Sequence, residues 1–255
     1  MENISEFKKF AKYLAEQSSA VIKPFFRSQV KVENKEDNSP VTIADKKAEE
    51  VMRELIAKEY PQHGIIGEEF GEYSEEAEYK WILDPIDGTK SFICGALTFG
   101  TLICLMINDK PILGVINQPI LDEFLIGDND KAYINGNLTK VRDCNSLKEA
   151  VLLTTDHLNI GRFQKQETFD QLTRKVKIYR NWGDCYGYYL LATGFADIMI
   201  DPIMSVWDKM PLIPIIIGAG GAITNYTGEN PVKGNSIVAA SKEIHKQVIK
   251  ILNEM

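Results

Sequence analysis

The stretch Trp81-Ile82-Leu83-Asp84-Pro85-Ile86-Asp87-Gly88-Thr89 links the predicted fold of this chain to its predicted chemistry. Its first three residues are apolar and predict a short buried strand, and both aspartates follow at the end of that strand. Gly88-Thr89 opens a segment, Lys90 to Ile93, with the features of a short helix, whose free backbone N–H groups suit an oxyanion. Adjacent carboxylates recruit the cations that a phosphate ester also needs, so the stretch predicts a metal-dependent phosphate site.

Further acidic residues follow or begin other predicted elements. Glu68 comes directly after the apolar strand Ile65 to Gly67, and Asp208 lies at a predicted helix start. Taken alone, each acidic position also has a structural interpretation. Asp84 and Asp87 could form a solvated turn, and Asp208 could simply begin a helix. A third acidic position, Asp45, could cap the second predicted helix together with Thr42. Oxygen ligands with no histidine among them favour magnesium or manganese over zinc.

The apolar pattern divides the chain into two halves, residues 1–145 and 146–255. The first half begins with two amphipathic helices, Ile4 to Phe25 and 44–56, and continues with β-rich runs from Thr98 to Ile126 that predict a meandering antiparallel sheet. The second half alternates strands with helices, as is typical of a layered α/β unit. The sequence therefore predicts an α/β protein with an α+β N-terminal half and an α/β C-terminal half.

Composition limits the classes of function. The chain has 255 residues and is 44% hydrophobic, enough to bury a sizeable core. The net charge of −7 argues against a general nucleic-acid surface, because such binding depends on clustered Lys and Arg. No apolar run reaches membrane-spanning length and the first thirty residues lack a secretory pattern, so we expect a cytosolic protein with no membrane contact. The four cysteines are scattered and predict neither a zinc site nor a disulfide.

The motifs Gly67-Glu68-Glu69, the stretch from Trp81 to Thr89, and Trp207-Asp208, in this order and spacing, resemble the inositol monophosphatase family of lithium-sensitive phosphatases. The resemblance spans nearly the whole chain and includes Pro40 to Asp45 and Ala219-Gly220-Gly221. Members of the family fold as a five-layered αβαβα sandwich, which agrees with the two halves. The resemblance also implies a small-molecule phosphate ester as substrate and a homodimer as the assembly.

The resemblance assigns roles to individual residues of this chain. The implied metal ligands are Glu68, Asp84, the carbonyl of Ile86, Asp87 and Asp208. Thr89 orients the attacking water with Asp45 behind it, Glu68 belongs to the catalytic set, and the backbone N–H groups of Gly88 and Thr89 hold the phosphate. The implied reaction is a direct in-line attack by water activated by two or three Mg²⁺ per active site, without a covalent phosphoenzyme.

The segment from Asn181 to Tyr188 carries the prediction of substrate. Its sequence, Asn-Trp-Gly-Asp-Cys-Tyr-Gly-Tyr, differs from the Gly-Ser/Thr-Ala pattern of the inositol enzymes and resembles the histidinol-phosphate phosphatases of the same superfamily. The implied substrate is L-histidinol phosphate, an intermediate of histidine biosynthesis. Its ammonium and imidazole groups face Asp184 and Asp201 in this interpretation, while Trp182 or Tyr186 stacks on the ring.

Three alternatives stay open from the sequence. First, Trp182 and Tyr186 are core aromatics at a helix start and Asp184 is the N-cap of that helix. Second, the enzyme is an inositol monophosphatase or a broad sugar-phosphate phosphatase. Third, the fold serves a regulatory role and binds RNA or a transcription complex, against which the intact set of acidic residues argues.

Overall fold

The computed structural model of this chain describes residues 4–28, 32–34, 40–74 and 76–254. The α-helices of the described residues are α1 Ile4–Ile22, α2 Ile43–Glu59, α3 Thr89–Ile93, α4 His157–Phe163, α5 Gln166–Thr173, α6 Asp184–Ala192, α7 Val206–Lys209, α8 Leu212–Gly218 and α9 Lys242–Leu252. The strands are β1 Val32–Asn34, β2 Pro40–Thr42, β3 Gly64–Gly67, β4 Gly71–Tyr73, β5 Tyr79–Asp87, β6 Gly100–Ile107, β7 Lys110–Gln118, β8 Glu123–Gly127, β9 Ala132–Ile134, β10 Asn137–Thr139, β11 Val151–Thr154, β12 Ile178–Arg180, β13 Ile198–Asp201, β14 Ala222–Thr224 and β15 Ile237–Ala240.

Two sheets organise the described residues, besides the short hairpin of β1 and β2. The larger sheet has eight strands in the order β10-β9-β8-β7-β6-β5-β3-β4, and only the β3–β5 pair within it is parallel. The smaller sheet has five strands in the order β12-β11-β13-β15-β14, with β11 parallel to both of its neighbours. The antiparallel meander predicted for the first half is confirmed by the pairing of β6, β7 and β8.

Side chains alternate between the two faces of the larger sheet, and each face packs against a different layer of helices. In β5, Trp81 and Leu83 pack against the buried face of α1 and α2, where Phe7 and Leu14 lie. Ile82 points the opposite way and packs with residues of α6 and α8. Because successive side chains of a strand point to opposite faces, this one strand supplies two separate cores.

The smaller sheet is covered on both faces in the same way. Leu153 and Met199 pack toward α6 and α8, in the core shared with the larger sheet. Leu152 and Ile198 face the outer helices α4, α5 and α9. The layers therefore run α1/α2, larger sheet, α6/α8, smaller sheet, α4/α5/α9, and the predicted five-layered αβαβα sandwich is confirmed.

The predicted boundary at residue 145 falls between the strands of the two sheets. However, α6 and α8 of the second half pack against both sheets, so the halves share one central core. The division into two domains stays a prediction.

Several elements differ from the sequence-based expectation. The sequence predicted one helix near Gln164 to Leu172, which α5 matches, but a further helix, α4, precedes it and is separated from it by Gln164 and Lys165. The predicted helix at Val206 is a single turn, after which Pro211 precedes the separate helix α8. The short strands β4, β9, β10 and β14 were not predicted, because three residues are too few to show a periodic pattern.

Candidate active site

Three carboxylates converge at the end of β5. One oxygen each from Asp84, Asp87 and Asp208 lies within 4.8 Å of the others. Asp84 is only 2% exposed, and Asp87 is the last residue of the strand. Glu68 follows the neighbouring parallel strand β3, where its N–H donates to the Leu83 carbonyl at 3.1 Å. Glu68, Asp84 and Asp87 thus lie at the ends of two adjacent strands, as the sequence predicted, and Asp208 joins the two aspartates from α7.

An irregularity in β5 brings the two aspartates of that strand to the same side. Residues three apart on a regular strand point to opposite faces. The pairing of β5 with β6 shifts register between Asp84 and Asp87, and the Thr101 hydroxyl donates to the Pro85 carbonyl at 2.8 Å inside this break. Bulges of this kind are common beside active sites, where they redirect a side chain.

Asp208 has both of the roles that the sequence left open. It is the third residue of α7 and forms a capping box with Ser205, whose N–H donates to Asp208 Oδ2 at 2.9 Å. The same carboxylate belongs to the convergent cluster. Because a capped carboxylate still has free lone pairs, the capping role and the site role are compatible.

Burial and like charge raise the pKa values across the cluster. Burial raises the pKa of Asp84 well above its usual value, and Glu68 and Asp87 add repulsion. Burial also raises the pKa of Asp87, together with the charge of Asp184. The pKa of Asp208 is raised to about 6, mainly by burial. Among the described residues, Asp84 Oδ1 is buried without a hydrogen-bond partner. A divalent cation can coordinate such a buried oxygen and compensate the charges of the neighbouring carboxylates. Asp84, Asp87 and Asp208 therefore fit a metal site.

Thr89 and Asp45 lie beside this cluster. The Thr89 hydroxyl donates to the Ile86 carbonyl at 3.0 Å, and its oxygen lies 3.5 Å from Asp45 Oδ1. The other oxygen of Asp45 accepts the N–H and the hydroxyl of Thr42, at 2.9 and 2.6 Å. Burial raises the pKa of Asp45, although the Thr42 hydrogen bonds oppose this. Asp45 therefore both completes the capping box of α2 and faces Thr89.

A cavity of about 410 Å³ opens beside the carboxylates. One wall is formed by the β5–α3 turn and α3, which contribute Gly88, Thr89, Lys90, Ser91 and nearby Thr98. The opposite wall is formed by the β11–α4 turn and the segment leading into α6, which contribute Thr155, Asp156, Asn159, Asn181, Gly183 and Asp184. The cavity is thus polar and joins elements of both halves of the chain.

Asp184 occupies a strained position at this cavity. Gly183 is at the N-cap position of α6, so Asp184 is the first helical residue rather than the cap that the sequence alternative proposed. Its φ is +49°, a left-handed conformation that is uncommon outside glycine but that aspartate and asparagine adopt more readily than most residues. Ser91 Oγ donates to Asp184 Oδ2 at 3.3 Å, while the Asp184 N–H donates to the Thr155 hydroxyl at 2.8 Å. Burial raises the pKa of Asp184 to about 7, and Asp201 adds to the effect.

The structure does not bring Tyr186 to the cavity. Its ring stacks on Tyr189 with centroids 5.2 Å apart and packs against the central core. Residues two apart on a helix point in nearly opposite directions, so Tyr186 faces away from the side that carries Asp184. The predicted contact of Tyr186 with substrate therefore has no support, and the core-aromatic alternative describes this residue. Trp182 is 49% exposed between two cavity-lining residues, and its contact with substrate stays a prediction.

Asp201 lies behind the cavity rather than in it. It is buried and accepts hydrogen bonds from the Thr155 N–H at 3.1 Å and the Tyr188 hydroxyl at 2.9 Å. It lines a smaller adjoining cavity of about 90 Å³, together with Asp87, Asp184 and Asp208. Because protein donors occupy both of its oxygens, a direct contact between Asp201 and substrate stays a prediction.

Some residues of the site were not predicted from the sequence. Thr155, Asp156 and Asn159 line the cavity wall opposite α3. Asp156 follows the buried strand β11, so the strand-end rule that identifies Asp84 also applies to it. The Cys185 N–H donates to Asp87 Oδ2, and no side-chain pattern in the sequence signals this backbone contact.

The fold and the site define a class of protein, an αβαβα sandwich with a buried carboxylate cluster whose residues fit divalent metal ions. A profile of the inositol monophosphatase family matches residues 3–255. This chain belongs to the inositol monophosphatase family and is a phosphoric monoester hydrolase.

Individual relatives agree with this membership. The chain is 42% identical to the bifunctional phosphatase IMPL2 of Arabidopsis thaliana, over 94% of this chain and 72% of the relative. It is 36% identical to a histidinol-phosphatase of Chlorobaculum parvum, over 92% of each chain. The solved structure of an inositol monophosphatase from Zymomonas mobilis covers 100% of both chains, with a TM-score of 0.87 and 34% identity.

None of the helices in the described part of the chain is long and apolar enough to cross a bilayer.

Proposed function

We propose that this protein is a Mg²⁺-dependent phosphatase that hydrolyses L-histidinol phosphate to L-histidinol and phosphate. The observation that carries the proposal is the acidic wall of the cavity, where Asp156 and Asp184 lie beyond the carboxylate cluster. Histidinol carries an ammonium group and a titratable imidazole, which these carboxylates would pair with, whereas a neutral polyol would gain less. The relatives named histidinol-phosphatase support the same substrate.

The proposed metal ligands are Glu68, Asp84, the Ile86 carbonyl, Asp87 and Asp208. Carboxylate and carbonyl oxygens suit Mg²⁺, and the unpartnered Asp84 Oδ1 is available to one. The Ile86 carbonyl accepts the Thr89 hydroxyl but has a second lone pair. When bound, two or three Mg²⁺ ions would lower the pKa of water and stabilise negative charge on the leaving oxygen.

The remaining residues position the reactants. Because the Thr89 hydroxyl donates to the Ile86 carbonyl, its lone pairs are free to accept a hydrogen bond from the attacking water and so orient it. Asp45 Oδ1 lies behind this hydroxyl, at 3.5 Å, and is the alternative acceptor of its single proton. The first N–H groups of α3 have no partner within the helix, and those of Gly88 and Thr89 would hold the phosphate oxygens. Loss of one such donor typically costs roughly 100-fold or more in turnover.

A second candidate substrate is an inositol monophosphate. It is favoured by the full-length likeness to the Zymomonas enzyme and by the word bifunctional in the name of the plant relative. A regulatory role in binding RNA or a transcription complex has no comparable observation in its favour. Association as a homodimer and a place in histidine biosynthesis stay predictions from the resemblance, and a cytosolic location stays a prediction from the sequence composition.

The test is phosphate release from L-histidinol phosphate and from inositol 1-phosphate, each with Mg²⁺ and with EDTA. We expect release that requires Mg²⁺ and is faster with histidinol phosphate. Equal or faster release from inositol phosphate would support the second candidate. No release from either ester would contradict both, and would favour the regulatory alternative.

A further inference from the structure

Lys209, the residue after Asp208, has an unusual environment. It is only 5% exposed, and its ammonium group donates to three backbone carbonyls. These are the carbonyls of Pro231 at 3.1 Å, Val232 at 2.9 Å and Gly234. A buried lysine is uncommon unless its charge is compensated, and here three converging carbonyl dipoles match the three N–H donors of the ammonium.

These bonds join two elements that are distant in the chain. Lys209 ends α7, whereas its three acceptors lie in the connection between β14 and β15, residues 225–236. A second bond joins the same regions, because the Met204 N–H donates to the Asn235 carbonyl at 2.7 Å. Val232, one of the acceptors, packs against the central core. The hydrogen bonds of Lys209 and Met204 therefore attach α7 and the residues before it to this connection, which packs against the central core through Val232.

Asp208 needs such an attachment for two reasons. First, α7 has four residues, and a single helical turn is not stable by itself, so tertiary contacts must impose its position. Second, Asp208 lies within 4.8 Å of two other carboxylates, Asp84 and Asp87, whose charges repel it. The Ser205 cap orients the carboxylate within the turn, but it does not fix the turn relative to β5.

We propose that Lys209 is a positioning residue for metal binding: its ammonium group clamps α7 to residues 231–234 and so holds Asp208 close to Asp84 and Asp87. This inference rests on the proposed metal site and is independent of the substrate. Without the clamp, repulsion in the metal-free protein displaces α7, and part of the free energy of cation binding is used to bring Asp208 back. Loss of groups that orient metal ligands typically weakens metal binding by roughly 10- to 100-fold.

Two substitutions and one control test the proposal. Lys209→Met keeps the length of the side chain but leaves the three carbonyls without their donor. Lys209→Arg keeps the charge, but its planar guanidinium does not match the converging carbonyls, so a smaller effect is expected. Val248→Ala in α9 is the control, because it loosens the outer core of the same half at a distance from α7.

Mg²⁺ alone is titrated calorimetrically into EDTA-treated, dialysed protein, and the Mg²⁺ dependence of phosphate release is measured in parallel. We expect Lys209→Met to weaken Mg²⁺ binding by roughly tenfold or more, while kcat at saturating Mg²⁺ stays within a few fold of native. Lys209→Arg should be intermediate, and Val248→Ala should bind Mg²⁺ like the native protein.

The outcomes separate this inference from the proposed function. Native protein that takes up no Mg²⁺ would contradict the proposed metal site itself. Native binding with unchanged affinity in Lys209→Met would overturn the role of Lys209 alone, as would an equal loss in Val248→Ala. If Lys209→Met does not fold, the Mg²⁺ affinity of Lys209→Arg becomes the test. An affinity equal to that of the native protein would overturn the proposed role of the Lys209 ammonium group.

Discussion

Asp84 and Asp201 are both buried aspartates, yet their surroundings differ. Asp201 accepts two hydrogen bonds from protein donors, whereas one oxygen of Asp84 has none among the described residues and faces like charges. A buried carboxylate without partners opposes folding until a cation binds. The surroundings of Asp84 are therefore those of a ligand-binding site, whereas the surroundings of Asp201 are those of a residue that stabilises the fold.

The same substitution at these two positions should have opposite effects on stability. Asp84→Asn removes a desolvated charge from the cluster, so the thermal midpoint in EDTA should rise. Asp201→Asn places an amide against the Thr155 and Tyr188 donors, which should lower stability by about 1–3 kcal/mol. Phosphate release with Mg²⁺ should fall roughly 100-fold or more in Asp84→Asn, since a metal ligand is lost.

Thermal denaturation in EDTA and phosphate release in Mg²⁺ check both variants. A midpoint that falls in Asp84→Asn as it does in Asp201→Asn would contradict this account, because Asp84 would then be stabilised by contacts other than a cation.

Single residues also show how far the sequence could predict the site. For Asp208 and Asp45 the sequence could not choose between a helix cap and a site residue. In the structure both complete capping boxes, Asp208 lies in the carboxylate cluster and Asp45 lies beside Thr89, so the two roles are compatible. Asp156 was overlooked because an isolated acid after a strand resembles an ordinary helix N-cap, which it also is. Motif spacing thus predicted most of the cluster, whereas the opposite wall required the fold.

At the scale of elements, the turn between β5 and α3 depends on glycine. Gly88 has φ of +85°, and a Cβ there would lie 2.8 Å from the Thr98 carbonyl oxygen and 2.9 Å from Asp184 Oδ2. Gly136 in the β9–β10 turn has a similar φ of +82°, but among the described residues, its two chain neighbours aside, none has an atom within 4 Å of its Cβ position. Alanine substitutions at these two positions therefore distinguish the cost of backbone strain, which both carry, from the cost of a steric clash, which only Gly88→Ala carries.

Gly88→Ala should lose more stability than Gly136→Ala, which carries only the left-handed strain of about 1–2 kcal/mol. Gly88→Ala should also lose most of its phosphatase activity, because the clash displaces the start of α3 and the Asp184 carboxylate. Urea denaturation and phosphate release measure the two effects. Native activity in Gly88→Ala would contradict the placement of the phosphate at this turn.

Helix direction explains why Tyr186 is not among the residues that line the cavity. The sequence motif groups Trp182, Asp184 and Tyr186, but side chains two residues apart on α6 point to different layers. The start of α6 could not be placed from the sequence to within one residue, because Asp184 begins it in a left-handed conformation. A shift of one residue at a helix start changes which side chains face a site.

At the scale of the whole molecule, the five layers explain why the site lies where it does. The larger sheet supplies the carboxylates of β5, and the elements of the second half supply Asp208 and the acidic wall. The periodic patterns of the long strands and helices predicted an α/β protein of two halves, and the five layers were implied by the family resemblance. The short edge strands have no such pattern. The join between the halves could not be predicted, because it depends on contacts distant in sequence.

The raised pKa values predict how the stability of the metal-free protein depends on pH. Asp208 and Asp184 have pKa values of about 6 and about 7, above the value of 3.8 expected when unfolded. The folded protein therefore binds more protons than the unfolded chain in this range, and its stability falls as pH rises through these values. The thermal midpoint in EDTA should decrease by several degrees between pH 5.5 and about 8.

Saturating Mg²⁺ should reduce or abolish this decrease, since bound cations compensate the ionised carboxylates. Differential scanning calorimetry at both pH values, with EDTA and with Mg²⁺, measures the effect. A midpoint in EDTA that rises toward pH 8 would contradict a cluster of uncompensated carboxylates.

The most direct test of the central proposal is the ratio of kcat/KM for L-histidinol phosphate to kcat/KM for inositol 1-phosphate, in native protein and in Asp184→Asn. Asn tolerates the left-handed backbone, so this variant removes the charge and retains the local conformation. We predict a native ratio well above one in Mg²⁺, reduced roughly tenfold or more in the variant, because a charged hydrogen bond contributes about 1.5–3 kcal/mol. A native ratio of one or less, or a ratio unchanged by the substitution, would contradict the acidic wall as the determinant of substrate.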